Sequence, residues 1–115
     1  MNKRQVGTQY ESMAVQYLTE AGYHILERNF RCRTGEIDII AKDGAYLVFV
    51  EVKYRASAAC GSALEAVDYR KQKSILRVAQ YYMVSHGYGT QTNCRFDVVA
   101  IQGTEITLIQ NAFGA

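Results

Sequence analysis

The ten residues from 45 to 54, Ala-Tyr-Leu-Val-Phe-Val-Glu-Val-Lys-Tyr, limit the fold of this chain more than any other segment. With the two-residue period of a strand, Val48, Val50 and Val52 form one apolar face. Leu47 and Phe49 begin the other face, and Glu51 and Lys53 end it. A strand that is apolar on both sides is a central one, covered above and below. Two charges at the end of such a strand are costly unless they are paired or bound to something.

The rest of the chain supplies the neighbours this strand needs. Tyr10, Met13, Ala14, Tyr17, Leu18 and Ala21 recur at helical spacing, with Gly22 after the last turn, predicting a helix over residues 8–21. Extended runs follow at 23–31, 36–41 and 45–54, separated by Arg33-Thr34-Gly35 and Lys42-Asp43-Gly44. Connections this short, each ending in glycine, predict an antiparallel meander. Residues 55–67, rich in Ala, Ser and Gly, read as a mobile loop with one helical turn after Ser62. A second helix is expected over 68–86, with Ile75, Leu76, Ala79, Tyr82 and Met83 on one face and Gly87 and Gly89 beyond its end. Strands at 93–101 and 104–109 complete the order α-β-β-β-α-β-β. That order implies a central mixed sheet flanked by helices, with the third and fourth strands parallel across a right-handed helical crossover.

The strand at 36–41 repeats the anomaly of its neighbour. Ile37 and Ile39 are expected on one face, and Glu36, Asp38 and Ile40 on the other. If Asp38 and Glu51 share a face, the meander brings two carboxylates and the Lys53 ammonium into one crevice. Two close carboxylates ionise together only when a cation joins them. Mg²⁺ (or Mn²⁺) suits the site, since such an ion takes one or two carboxylates together with waters and phosphate oxygens. Those parts are what metal-assisted phosphodiester hydrolysis requires. The competing structural reading is a simple Glu51–Lys53 ion pair, which gives no use to Asp38. Glu11 is open to two readings. It lies on the flank of the first helix that faces the sheet, but Thr8-Gln9-Tyr10-Glu11 also spells a capping box, and spacing alone favours the cap.

Gly7 to Glu11, Gly35-Glu36-Ile37-Asp38-Ile39-Ile40-Ala41, Val48-Phe49-Val50-Glu51-Val52-Lys53 and Arg95-Phe96-Asp97-Val98-Val99 together resemble the uncharacterised bacterial YraN-like family over nearly the whole chain. The resemblance implies a restriction-endonuclease-like (tRNA-endonuclease-like) α/β fold, similar to archaeal Holliday-junction resolvases, in a single nuclease-like domain spanning 1–115. It implies that Asp38 is the first acid of a PD-(D/E)xK signature and that Glu51 and Lys53 are its E-x-K, with Asp38 and Glu51 as metal ligands. Glu11 then matches the helix-one acid of the resolvase-like branch. Ile37 stands where the signature's proline often does.

The surroundings are basic in places. Arg70, Lys71 and Lys73 crowd the start of the second helix, and Arg31, Arg33 and Arg55 flank the acids in sequence. All six are candidate contacts to a nucleic-acid backbone. A solvated basic face is the plainer alternative for the helical group. Tyr54 and Tyr69 are candidates to stack on bases, and Asp97 pairs with Arg95 or supports the fold.

Bulk properties are neutral on function. Of 115 residues, 13 are basic and 11 acidic, so a net charge of +2 points to no polyanionic partner by itself. Cys32, Cys60 and Cys94 have no paired spacing, and His24 and His86 are the only histidines, which argues against zinc or a disulfide framework. No apolar run is long enough to span a bilayer, and the basic start leads into no signal segment. The expectation is therefore a cytoplasmic, Mg²⁺-dependent endonuclease acting on structured or branched DNA, with a homodimer suited to a two-strand substrate. The alternatives are a nucleic-acid-binding module with an inactive nuclease-like site, and an interaction protein that binds neither metal nor nucleic acid.

Overall fold

A computed structural model describes residues 3–55 and 67–114, with side chains from residue 9 onward. Most of the irregular segment expected at 55–67, including Cys60 and the helical turn after Ser62, lies outside the described residues. The elements are α1 (Lys3–Glu20), β1 (His24–Cys32), β2 (Gly35–Asp43), β3 (Tyr46–Arg55), α2 (Tyr69–Ser85), β4 (Cys94–Gln102) and β5 (Glu105–Phe113). They build one mixed sheet in the order β1-β2-β3-β4-β5. β3 and β4 run parallel, and every other neighbouring pair is antiparallel. This is a mixed α/β architecture compatible with a restriction-endonuclease-like fold.

β3 lies at the centre of the sheet, and its two faces feed two cores. Val48 and Val50 pack with Ile39, Ala41, Val99 and Ile101 beneath Ala14 and Leu18 of α1. Leu47 and Phe49 pack with Ile37, Ile40 and Phe96 against Ile75, Val78, Ala79 and Tyr82 of α2. Burying a single side chain of this size contributes about 1.5–3 kcal/mol, so both helices are held mainly by these apolar faces.

Each helix closes in the same way. Tyr23 donates its N–H to the Leu18 carbonyl and Gly22, at φ 99°, donates to Thr19. Tyr88 and Gly87 repeat the pattern on Met83 and Val84. Both are Schellman endings, which place glycine in the left-handed region. Asp68 caps the start of α2 by accepting the Lys71 N–H at 2.9 Å.

Two expectations need correction. α1 begins at Lys3, so Thr8 lies inside the helix and cannot cap it; the capping-box reading of Glu11 is withdrawn. Lys3, Arg4 and Gln5 are adequate helix formers, and a lone interior glycine such as Gly7 costs only about 1 kcal/mol. The alternation of β2 also breaks: Ile37 packs on the α2 side with Ile40, while Ile39 packs on the α1 side. The cause is at Asp38. The backbone ladder between β2 and β3 runs only from Asp43↔Tyr46 to Ile39↔Val50. Beyond it, the Asp38 carboxylate replaces the β2 main chain and accepts the Val52 N–H at 2.8 Å.

Where β4 runs beside Val48 to Val50 of β3, the structure holds a saturated polar network. Asp97, with no solvent exposure, accepts from the Tyr23 hydroxyl at 2.7 Å, the Asn111 N–H at 2.9 Å and two nitrogens of Arg95. Arg95 also reaches Asp43 at 2.8 Å and the Tyr23 hydroxyl at 2.8 Å. Asp97 thus supports the fold and pairs with Arg95 at once. Among the described residues, no helix is long and apolar enough to cross a membrane.

Removing Asp97 leaves the Arg95 guanidinium without its buried partner. Asp97→Ala is expected to lower stability by about 3–5 kcal/mol in urea denaturation; a loss below about 1 kcal/mol contradicts this role for the network.

Candidate active site

The site forms where β2 and β3 part. Glu51 is the one charged residue of the buried stretch of β3, with 4% of its surface exposed. It follows Phe49 on the α2 side by the strand period, and Lys53 comes next on that side. The Lys53 Nζ lies 3.3 Å from Glu51 Oε1. A second ammonium approaches from α2: Lys71 Nζ is 3.7 Å from the same oxygen.

Asp38 sits in the gap between the strands and is the acid common to the whole cluster. Its charge raises the pKa of Glu51 from one direction and that of Glu11 from another. Burial pushes Asp38 above the usual carboxylate range, against the Val52 N–H and then Lys71 and Lys53, which pull it down. Glu51 is pushed up to about 7, first by burial and then by Asp38, with Lys71 and Lys53 opposing. Glu11 on α1 is raised by burial, then by Asp38, with Arg28 and the Asn29 side chain partly offsetting. Its Oε1 is buried without a hydrogen-bond partner. A carboxylate oxygen left bare at the rim of two other acids is an open acceptor.

A hard divalent cation fits this donor set. The donors are the carboxylate oxygens of Asp38 and Glu51, both destabilised as anions by burial, and Glu51 also by the Asp38 charge. Among the described residues no group of three or more His, Cys, Asp or Glu side chains is placed to hold a metal ion together. Mg²⁺ does not require one, since it keeps several waters and takes one or two carboxylates.

The other sequence candidates are scattered more widely. Arg31 pairs with Glu36 at 3.0 Å on the β1–β2 hairpin, and both line a shallow cavity of about 480 Å³ with Arg33. Arg55 donates to the Tyr54 carbonyl at 3.0 Å. Arg70 is exposed, and the Lys73 ammonium lies 4.8 Å from the centre of the Tyr69 ring. Tyr69 is open, at 70% exposure. Tyr54 is not: its ring stacks on Tyr10 with centroids 3.7 Å apart, so it is already occupied within the fold and the base-stacking expectation for it is dropped.

Sequence reasoning grouped Lys71 with its exposed neighbours and overlooked its reach to Glu51. The available signal was its spacing, since Lys71 precedes the buried Ile75, Val78 and Tyr82 on one helical face. The role of Glu36 as a further negative neighbour of Asp38 and Glu11 was also passed over, although it lies two residues from Asp38.

Glu51 ionises less readily in the folded chain than in the unfolded one. Its contribution to stability is complete below the ordinary value of 4.5 and is lost as pH rises through about 7. Glu51→Gln is therefore expected to flatten the fall in stability of the metal-free protein between those pH values, measured by urea denaturation at a series of pH values. A variant as steep as the wild type contradicts the placement of this charge.

Comparison with known proteins places the chain. A family model described as uncharacterised protein family UPF0102 matches residues 10–101, a span that contains Glu11, Asp38, Glu51, Lys53 and Lys71. A UPF0102 protein of Lachnoclostridium phytofermentans is 50% identical over 115 residues, covering 100% of this chain and 98% of that protein. One from Stutzerimonas stutzeri is 46% identical over 111 residues, 93% of this chain and 92% of its own length. A third, from Caldicellulosiruptor saccharolyticus, is 46% identical over 121 residues, 98% and 100% of the two chains. These matches agree with the YraN-like resemblance of the sequence motifs, and the chain belongs to the uncharacterised protein family UPF0102.

Proposed function

We propose that this protein is a divalent-metal-dependent endonuclease that hydrolyses phosphodiester bonds in structured or branched DNA. The observation that carries the reading is the convergence of Asp38, Glu51 and Lys53 where β2 and β3 part. Three charged groups are held there at the edge of an apolar core, and one acid is fixed by a backbone N–H. Asp38 and Glu51 would hold Mg²⁺ or Mn²⁺. When bound, such an ion neutralises charge on a phosphoryl oxygen and lowers the pKa of a coordinated water.

The chain's own residues divide the remaining work. The Val52 N–H fixes the orientation of Asp38, so that its carboxylate enters the reaction without reorganising. Lys53 offers three donors beside Glu51 and stabilises charge that builds on the phosphate in the transition state. Glu11, with its free oxygen, accepts a hydrogen bond from the attacking water. Arg31, Arg33, Arg55, Arg70 and Lys73 would contact phosphates away from the cut. Such contacts position a strand without reading its sequence. The preference for branched DNA comes from the likeness of the motifs to Holliday-junction resolvases, and a homodimer would present two such sites to two strands.

The test is cleavage of four-way-junction, duplex and single-stranded substrates by protein freed of contaminating nucleases. Cleavage is expected in Mg²⁺ or Mn²⁺, abolished by EDTA. Asp38→Ala and Lys53→Ala are each expected to reduce it by about a hundredfold or more while keeping a cooperative unfolding transition. Salt-dependent binding with no cleavage in either metal would overturn the enzyme and leave a binding module in its place.

A further inference from the structure

Lys71 stands apart from the other cations of α2. Its side chain is 34% exposed and turned to Glu51, whereas Arg70, Lys73 and Arg77 face solvent. Its backbone N–H is bonded to the N-cap Asp68, which fixes it in the first turn of the helix. A cation in that position opposes the helix dipole; the N-cap Asp68 carboxylate is bonded to the backbone, and no first-turn acid pairs with the ammonium. The compensation comes from another element: Glu51 Oε1, the same oxygen that Lys53 touches. Lys71 also acts on Asp38 more strongly than Lys53 does. One carboxylate oxygen is thus crowded by two ammonium groups. The one from β3 is closer and less exposed, and the one from α2 hangs on a long, partly solvated stem.

We propose that Lys71 is a stand-in cation, a positioning residue that neutralises the Glu51 carboxylate in the metal-free protein and gives way when a divalent ion takes that oxygen. The inference rests on the reading of Asp38 and Glu51 as ion ligands. Two ammonium groups on one oxygen repel each other, and a divalent ion at that oxygen adds to the repulsion. Lys71 is the group free to leave, since its stem can swing toward solvent or toward a bound phosphate. The arrangement explains how the acids persist in a folded chain between encounters with metal, and it sets the affinity for the ion through competition rather than through ligands alone.

The experiment is calorimetric titration of the full, metal-stripped chain with Mn²⁺, together with thermal unfolding with and without the ion. Lys71→Met removes the competitor and is expected to bind Mn²⁺ roughly five- to tenfold more tightly than the wild type. Lys71→Arg keeps the charge and is expected to stay within about twofold, as is Arg77→Met on the exposed face. In unfolding, Lys71→Met is expected to lose stability without metal and to gain more from Mn²⁺ than the wild type does. A merely structural lysine predicts the reverse: loss of Lys71 would let Glu51 move and weaken Mn²⁺ binding. Equal or weaker binding by Lys71→Met, with the wild type binding normally, overturns the stand-in role alone. A wild-type chain that takes up no Mn²⁺ overturns both this role and the ion-site reading.

Discussion

The hydrogen bond from the Val52 N–H to the Asp38 carboxylate, at 2.8 Å, is where the fold and the site become one problem. A buried backbone donor must find an acceptor. Between Ile39 and Asp43 the partner of β3 is the β2 main chain, and past that point it is a side chain. The substitution keeps the ladder satisfied while the strands part. It also turns a carboxylate into the gap, where it faces acids and lysines from α1, α2 and β3. An apolar side chain at position 38 would leave the Val52 N–H unpaired.

Two clusters in the sheet treat buried charge in opposite ways. Asp97 is surrounded by donors from Arg95, Tyr23 and Asn111, and the cluster needs nothing from outside. That completeness is what a stabilising network requires. In the other cluster, Glu11 keeps a bare oxygen, and Asp38, Glu51 and Glu11 are all pushed toward protonation by burial. Buried acids whose hydrogen bonding is left incomplete are a feature of functional sites. The contrast separates a structural acid from a candidate ligand without reference to any relative.

Much of this was legible in the residues alone, for a specific reason. β3 displays its two faces directly: valines toward α1, and Leu47 and Phe49 toward α2 until Glu51 and Lys53 interrupt. Period-two patterns of this kind survive folding because a one-residue slip would bury the wrong set. The glycine-marked turns and helix ends were readable on the same basis. What was not legible depended on long-range geometry. The face switch at Ile37 follows from the capture of Val52 by Asp38, a contact across 14 positions. The turn of Lys71 toward Glu51 depends on how α2 crosses the sheet. The stacking of Tyr54 on Tyr10 joins β3 to α1, and neither segment announces the other.

If Asp38 and Glu51 are two halves of one ion site, the ion must be found between them. Anomalous diffraction from crystals of the full chain soaked in Mn²⁺ tests this most directly. The expected result is a single strong peak in contact with oxygens of both carboxylates, with the Val52–Asp38 hydrogen bond intact. A peak bound elsewhere, or none while both acids hold their positions, would contradict the assignment of this crevice as a metal centre.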